Sequence, residues 1–571
     1  MQSSSTTADD LKSALSASRR GFVAVGFFSL FINLLMLTAP LYMLQVYDRV
    51  VSARSTETLI FLTAIMVFMF AVMGSLEWIR SRILVRVGNQ LDSYLSRRTY
   101  SAMFEMGVKN ATQRSAQPLS DLNTIRQFMT GNGLFAFFDA PWMPIYIALL
   151  FVFHAAYGWF AIGAAIILFT VAVFNERSTR KQMQEANSEN VKAQNLANSN
   201  LRNSEVLHAM GMLPGIQQRW YERHLSFLKK QTLASDRAGI FSNMSKVLRM
   251  MFQSLILGLG AYFVIHNEMS PGMMIAGSIL LGRALAPVDL LINTWGGFNN
   301  ARSSYKRLNE LLTQIPSSLR KMSLPTPQGN VALETVVVVP PGSKTPALRG
   351  LNLEVSPGDH VGIIGPSAAG KSTLSRALLG IWPTANGAIR IDGADVQHYN
   401  RDELGPHVGY LPQDIELFDG SVSENIARFG EVDSEQVVRA AKKAGVHEMI
   451  LQLPEGYDTV IGSTSGALSG GQRQRIGLAR ALYGHPKVVV LDEPNSNLDD
   501  QGEQALALAL KQLHDEQVTV FVVSHRPVLL RNVDKLLMLK DGQVQMFGPR
   551  DDVMKQLAQQ QQAKSVQHQG A

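Results

Sequence analysis

Nine consecutive residues, Gly365, Pro366, Ser367, Ala368, Ala369, Gly370, Lys371, Ser372 and Thr373, have the types and spacing of a loop that wraps phosphate. The glycines let the backbone curl until successive N–H groups face an anion. Lys371 can reach the outer phosphates of a nucleotide, and the Ser372 hydroxyl can ligate Mg²⁺. The flanks supply the context this chemistry needs, because apolar His360 to Ile364 reads as a buried strand and LSRALLG, which follows the loop, reads as a helix. A second apolar run, Lys487-Val-Val-Val-Leu491, ends in Asp492, Glu493 and Pro494. At the C-terminal edge of a sheet, Asp492 can hold the metal shell and Glu493 can polarise an attacking water. Standing alone, such a tetrapeptide would equally suit a strand ending in a solvated acidic turn. Ser469, Gly470, Gly471 and Gln472 then open a helix, RQRIGLARALYG, and make a second anion site of the same kind. One nucleotide has no use for two such sites on one face, so something else must supply the partner of the second.

Around these motifs, short strand-like runs alternate with helical patterns, as in an α/β domain. The 313–332 stretch, TQIPSSLRKMSLPTPQGNVA, is Pro-rich, weakly periodic and reads as a linker. The part before it is of another kind. Residues 1–325 carry 31 basic and 18 acidic residues, whereas 326–571 carry 22 and 28. Over the whole chain 46% of residues are apolar and only 17% charged, against roughly 25% in ordinary soluble proteins. The basic half is also the apolar half, which points to positive charge at the lipid headgroups of a membrane and away from nucleic acid. With no cysteine, disulfides, thiolate metal sites and a cysteine nucleophile are all excluded.

Six stretches are apolar enough to span a bilayer: 21–47, 58–76, two within the uncharged 140–175 joined near His154 to Gly158, 250–267, and one from about Pro271 that Arg283 and Asp289 interrupt. Residues 77–132 hold eight Lys or Arg and 176–249 hold twelve, while the loop at 48–57 holds two and the other outward turns none. The long segments and both termini are therefore expected on the cytoplasmic side. The 176–249 segment is broken near Gly211, Pro214 and Gly215, giving two helical arms of about 50 Å each at about 1.5 Å per residue. Arg283 and Asp289 either pair with each other or face a wet passage; Asp139 suits a membrane interface.

The fold class expected is an α-helical transmembrane domain of six spans with long cytoplasmic extensions, fused to an α/β phosphate-loop cassette. Its parts are a cytoplasmic N-terminal segment (1–20), the transmembrane domain (21–312), the linker (313–332), the cassette (333–555) and a Gln-rich, disordered tail (556–571).

The cassette resembles the ATP-binding cassette family through the phosphate loop, Gln413 in Leu411-Pro-Gln-Asp414, Leu468-Ser-Gly-Gly-Gln472, Asp492 with Glu493, Ser496-Asn-Leu-Asp499, and His525 in Val523-Ser-His-Arg526. The resemblance implies ATP and Mg²⁺ as ligands and a head-to-tail homodimer in which Ser469 and Gly471 of one copy close on the γ-phosphate held by Lys371 of the other. It also implies that Glu493, His525, Gln413 and Lys371 are catalytic, that Ser372, Gln413 and Asp492 hold the metal, and that Gln413 links the site to the membrane helices. Two departures stand out. Residues 331–360 contain no Phe, Trp or Tyr to stack on adenine, which is expected on apolar and Pro contacts instead; and Ile461-Gly-Ser-Thr-Ser465 lacks the Glu that exporters often carry before the signature.

The membrane half resembles the type I secretion ATPases of the PrtD type. The likeness runs through Leu37-Thr-Ala-Pro-Leu-Tyr-Met-Leu-Gln-Val-Tyr-Asp-Arg49, Arg126-Gln-Phe, Phe138-Asp-Ala-Pro-Trp-Met-Pro-Ile145 and Leu285-Ala-Pro-Val-Asp289. It implies export of an unfolded protein with an uncleaved C-terminal signal across a bacterial inner membrane, in company with a periplasmic membrane-fusion adaptor and an outer-membrane channel protein. An N-terminal cysteine peptidase is not expected. A lipid or small-molecule exporter would share the layout. Fusion of membrane and ATPase parts in one chain disfavours an importer, and Glu493 with His525 disfavours a non-catalytic cassette.

Overall fold

The computed structural model describes residues 10–110, 115–316, 323–462 and 468–569. It divides into two compact units, residues 1–104 with 115–317, and residues 105–114 with 318–571.

The first unit is helical, and six of its helices are long and apolar enough to cross a membrane. The first span comprises Arg19–Leu35, Thr38–Gln45 and a π-helical turn at Val46–Val51; the second is the 54-residue helix Thr56–Lys109. Asn132–Asp139 and Met143–Phe153 form the third. The turn expected between His154 and Gly158 is tighter than that: His154 alone leaves the helical region, and its Nδ1 accepts the Ala156 N–H at 3.1 Å to cap the fourth helix, Ala155–Arg202. The fifth and sixth are Leu213–Ile265 and Pro271–Gln314. Gly211, at φ +63°, breaks the chain between the fourth and fifth, and Pro214 sits in the first turn of the fifth, where its missing N–H costs nothing. At 1.5 Å per residue the 48- and 53-residue helices reach about 70 and about 80 Å, far beyond a hydrocarbon core of about 30 Å.

Burial in this unit is inverted relative to a soluble protein. Large apolar side chains such as Phe61, Val152, Trp159 and Ile265 face outward, while Ala161, Ala164, Ala165, Ala284 and a few Leu and Ile residues fill the interior. Small residues let helices approach where lipid gives no hydrophobic drive between them. The outer ends are tied by Asp48, whose carboxylate accepts from Ser270 Oγ at 2.6 Å and Gly272 N–H at 2.8 Å at the start of the sixth helix. Of the two alternatives for Arg283 and Asp289, pairing with each other is not made among the described residues. Asp289 instead pairs with Arg249 Nε at 2.8 Å and accepts from Ser245 Oγ at 2.5 Å, because the fifth helix packs along the sixth and presents these groups first. Asp139, expected at an interface, is held inside the bundle by Arg80 at 3.0 Å.

In the second unit, strands β1 (Val331–Val338), β2 (Leu348–Val355), β4 (Asn386–Ile391) and β5 (Ala394–Asp395) form an antiparallel sheet in the order β2-β1-β4-β5. Six others, β3 (His360–Ile364), β6 (Val408–Leu411), β9 (Val488–Asp492), β10 (Thr519–Val523), β11 (Lys535–Lys540) and β12 (Gln543–Pro549), form the main sheet in the order β12-β11-β3-β10-β9-β6. The remaining pair, β7 (Gly420–Ser421) and β8 (Val460–Ile461), stands apart. In the main sheet all neighbours run parallel except β11 with β12, and β9 and β10 are buried at every position, the pattern of a sheet covered on both faces. Arg428 pins its β6 edge. Its guanidinium donates to five carbonyls, those of Gly405, Val408, Arg480, Ala481 and Tyr483, at 2.8–3.2 Å, and burial lowers its pKa to about 10. The Gln-rich end, expected as a disordered tail, continues the last helix, Arg550–Gln569. Glutamine is a good helix former, and no Gly or Pro interrupts the run.

His360, at the start of β3, is wholly buried. Burial holds its pKa below the ordinary histidine value; Asp534 opposes this, and the His514 ring 5.2 Å away reinforces it. The unfolded chain therefore binds a proton that the folded chain refuses. The stability contributed by a neutral His360 is complete above the ordinary histidine range and falls as pH drops through it, by at most about 1.4 kcal/mol per pH unit for one proton. We expect His360→Leu to flatten the fall of the unfolding midpoint between pH 7.5 and 5.5. An unchanged acid slope in the variant would assign that slope to other groups.

Candidate functional site

Strand order builds this site. With β3, β10, β9 and β6 parallel and adjacent, the loops that leave their C-terminal ends stand side by side: Gly365 to Gly370 after β3, Ser524 and His525 after β10, Glu493 after β9, and Pro412 with Gln413 after β6. Such an edge is where open α/β sheets bind ligands. Residues from four separated stretches of sequence thus meet on one rim.

Local backbone geometry shapes the phosphate loop. Gly365 has φ +154°, and a Cβ there would lie 2.1 Å from the Leu539 carbonyl oxygen. Gly370 has φ +101°, with Leu348 Cδ2 at 2.8 Å and Ala347 O at 3.0 Å from the same hypothetical atom. Ala368, at φ +64°, adopts this region with a side chain, a local strain of the kind found where backbone N–H groups must be aimed. Pro366, Ser367 and Ala368 form the exposed crest; Ala369 is buried beneath it. The helix Lys371–Leu378 begins immediately after Gly370, so Ser372 and Thr373 lie in its first turn, where free N–H groups and the helix dipole favour an anion.

Lys371 is 8% exposed, and its ammonium donates to the Gly365 and Pro366 carbonyls at 2.8 and 2.9 Å, across the mouth of its own loop. Burial lowers its pKa, while Glu493 and Asp492 act to raise it. Ser372 Oγ lies 3.4 Å from Asp492 Oδ1. Asp492 is 1% exposed and its Oδ2 has no hydrogen-bond partner, and burial raises its pKa. A buried carboxylate with an orphaned oxygen beside a hydroxyl fits a hard divalent cation such as Mg²⁺. Glu493 sits at φ +50°, fixed by its N–H to the Val523 carbonyl at 3.0 Å, and its carboxylate accepts from Gln413 Nε2 at 3.0 Å. Gln413 and His525 are otherwise exposed. The sheet therefore brings Lys371, Ser372, Asp492, Glu493 and Gln413 together, with His525 on the next loop.

The signature residues are placed differently. The helix Gly470–Leu482 starts with a capping box, Ser469 Oγ accepting from Gln472 N–H at 3.2 Å and Ser469 N–H donating to Gln472 Oε1 at 2.8 Å. Gly471 is required sterically, since a Cβ would meet the Asn497 carbonyl at 2.7 Å. Among the described residues no hydrogen bond joins Ser469, Gly470, Gly471 or Gln472 to the phosphate loop of the same chain. Sequence reading passed over Gln474, which is 1% exposed. Its amide donates to the Pro494 carbonyl and accepts from Asn497 N–H at 2.9 Å, tying the signature helix to the loop that follows Glu493. The signal was a polar residue on the buried face of that helix. The Ile461 to Ser465 departure falls mostly on residues 463–467, outside the described residues. Where adenine-stacking aromatics were missing, the Pro340-Pro341 turn between β1 and β2 leads into Ala347 and Leu348, which pack on Gly370.

Two family models match the chain: the ABC transporter transmembrane region over residues 22–286 and the ABC transporter over residues 348–496. The type I secretion system ATP-binding protein PrsD of Rhizobium meliloti (strain 1021) is 44% identical over 557 residues, 97% of this chain and 96% of its own. The leukotoxin translocation ATP-binding protein LktB of Mannheimia glucosida is 27% identical over 94% of this chain and 76% of its own. The cyclolysin secretion/processing ATP-binding protein CyaB of Bordetella pertussis is 29% identical over 92% and 75%. Among solved structures, a bacterial Atm1-family ABC exporter with ATP bound has the same fold, with a TM-score of 0.80 at 22% identity over 94% of this chain and 96% of that one.

The orphaned Asp492 oxygen makes a test that separates stability from activity. A buried carboxylate with its pKa raised opposes folding once ionised, so Asp492→Asn should melt at or above the wild type in EDTA. It should also lose the extra stabilisation that Mg²⁺ adds to ATP, which for a ligand at a hundred times its Kd is about 2.7 kcal/mol. A variant that kept the full Mg²⁺ increment would remove Asp492 from the metal site.

Proposed function

This chain belongs to the ABC transporters, among the type I secretion ATP-binding proteins, and from that premise we propose that it exports an unfolded protein bearing a C-terminal secretion signal across a bacterial inner membrane. The observation that carries the reading is 44% identity to PrsD over 97% of the chain, membrane helices included, where a shared cassette alone would leave the cargo open. The working unit is a homodimer with its cassettes and termini in the cytoplasm. It acts with a membrane-fusion adaptor and an outer-membrane channel, as type I secretion requires.

In the proposed cycle the N–H groups of Gly365 to Gly370 and the helix start at Lys371 bind the β- and γ-phosphates of ATP. Lys371 releases the Gly365 and Pro366 carbonyls to pair with phosphate oxygens, a charge-assisted contact that outweighs the two neutral ones. Mg²⁺ held by Ser372, Asp492 and Gln413 would neutralise charge between the phosphates. Glu493 orients and polarises the attacking water, with Gln413 holding its carboxylate until the nucleotide arrives. His525 contacts the γ-phosphate. The partner's Ser469 and the partner's Gly471 close the site, consistent with a signature helix that finds no phosphate in its own chain. Pro340 and the apolar residues beside it form the floor for adenine.

Lys371→Ala should weaken ATP binding, whereas Glu493→Gln should bind ATP and stall hydrolysis in a closed dimer. For the composite site, dimers carrying one Ser469→Arg chain and one Lys371→Ala chain, isolated through two affinity tags, should hydrolyse ATP while both parent homodimers are near background. Both lesions then fall on one site and the other is intact. Background activity in the mixed dimer would reject the shared site. For cargo, ATP turnover in nanodiscs should respond to a secreted protein's C-terminal region and not to drugs or added lipid; the opposite response would favour a lipid or small-molecule exporter.

A further inference from the structure

Side chains from several helices converge on Asp139 inside the membrane unit. Arg80 NH1 donates to Asp139 Oδ1 at 3.0 Å and to Ser29 Oγ at 3.1 Å; Asn33 Nδ2 donates to the same carboxylate oxygen at 3.0 Å and to the Ser29 carbonyl at 2.8 Å. The Tyr146 hydroxyl closes the cluster on the Asn33 carbonyl and Oδ1 at 2.9 and 3.0 Å. Ser29, Asn33, Arg80 and Tyr146 are each 5% exposed or less. One arginine and one aspartate leave this cluster neutral, and the nearby Asp289 is balanced by Arg249.

Arg283 is the exception. It projects from the sixth helix, and among the described residues neither a carboxylate nor any hydrogen-bond acceptor pairs with it. Twelve residues beyond Pro271, it lies about 18 Å along the helix, well inside a hydrocarbon core of about 30 Å. A cation at that depth costs about 2.5–3.5 kcal/mol even on the mildest scale. Its side chain is half-buried, not sealed.

We infer that Arg283 is the cation of a carboxylate-binding subsite in the transport passage, where it pairs with the carboxylates of a polypeptide in transit. The balanced Arg80–Asp139 cluster behind it leaves no competing anion free. The inference rests on the protein-export reading and adds a substrate preference, for acidic segments or for a free chain end, which offer the same carboxylate chemistry.

The test uses the full-length dimer in zwitterionic nanodiscs and fluorescent, unstructured 24-residue peptides that differ only in carrying four Glu, four Gln or four Lys, each with a free or amidated C-terminus. The four-Glu peptide should bind about tenfold more tightly than the four-Gln peptide, a difference of about 1.4 kcal/mol. Arg283→Gln should erase that preference and Arg283→Lys should keep part of it. A preference that survives amidation assigns the effect to side chains; one that appears only with a free terminus assigns it to the chain end. Equal binding of the Glu and Gln peptides by the wild type overturns the subsite even if Arg283→Gln does not fold, and export still stands. Absence of binding by every peptide overturns both readings. If Arg283→Gln alters the response to anionic lipid and not to peptide charge, the occupant is a headgroup and the inference fails.

Discussion

A charge that must be buried without a direct ion-pair partner is the constraint on which the rest of this molecule depends. Asp492 ends a strand that is buried at every position, with one carboxylate oxygen 3.4 Å from Ser372 and the other without a partner. Lys371, equally buried, spends its ammonium on the carbonyls of its own loop. Neither arrangement is an energetic optimum on its own, since burial disfavours the ionised forms of both. What makes them tolerable is the parallel sheet around them, whose fully buried strands β9 and β10 supply the burial energy that holds these groups at the rim. The cassette is thus organised around the phosphates of a nucleotide.

The membrane unit solves the same problem with different means. There the surroundings are hydrocarbon, and ionisable groups survive by being paired across helices: Arg80 with Asp139, Arg249 with Asp289, Asp48 with the N–H and hydroxyl groups that open the sixth helix. Each pairing joins residues far apart in sequence, and each also fixes which helices are neighbours. Charge pairing therefore does in lipid what apolar burial does in the cassette, because apolar contact alone gives little preference for one helix neighbour over another.

How much of this could be read from the sequence follows from how local the chemistry is. The phosphate loop, the Asp492-Glu493 pair and the signature are legible because each requires contiguous residues with a fixed strand or helix on one side. The six spans are legible because bilayer thickness demands a minimum apolar length. Illegible were the contacts set by which strands and helices become neighbours. Arg428, an ordinary surface-type residue in the sequence, satisfies five carbonyls drawn from two distant segments. Asp289 has Arg283 close to two turns away on its own helix but finds Arg249 on another, since a helix neighbour in space outranks one in sequence. The Gln-rich end was read as disordered from its composition, although the same residues have good helix propensity and continue the preceding helix.

Gln474 gives the signature helix a second consequence within its own cassette. The first turn of that helix carries Ser469 to Gln472, the groups placed to receive an anion from outside the chain, and Gln474 lies half a turn further on with its amide fixed to Pro494 and Asn497. Pro494 immediately follows Glu493, whose own backbone is held at φ +50°. An α-helix transmits a displacement of its first turn along its axis with little loss, because each residue is bonded to the next turn. Any shift of Ser469 toward a phosphate therefore pulls, through one buried amide, on the loop that positions Glu493. In the proposed dimer, closure of the signature on one nucleotide and orientation of water at the other would share this connection, which the Arg475–Asp499 pair reinforces, and that is a physical reason for two ATP sites to act together where two independent sites would otherwise suffice.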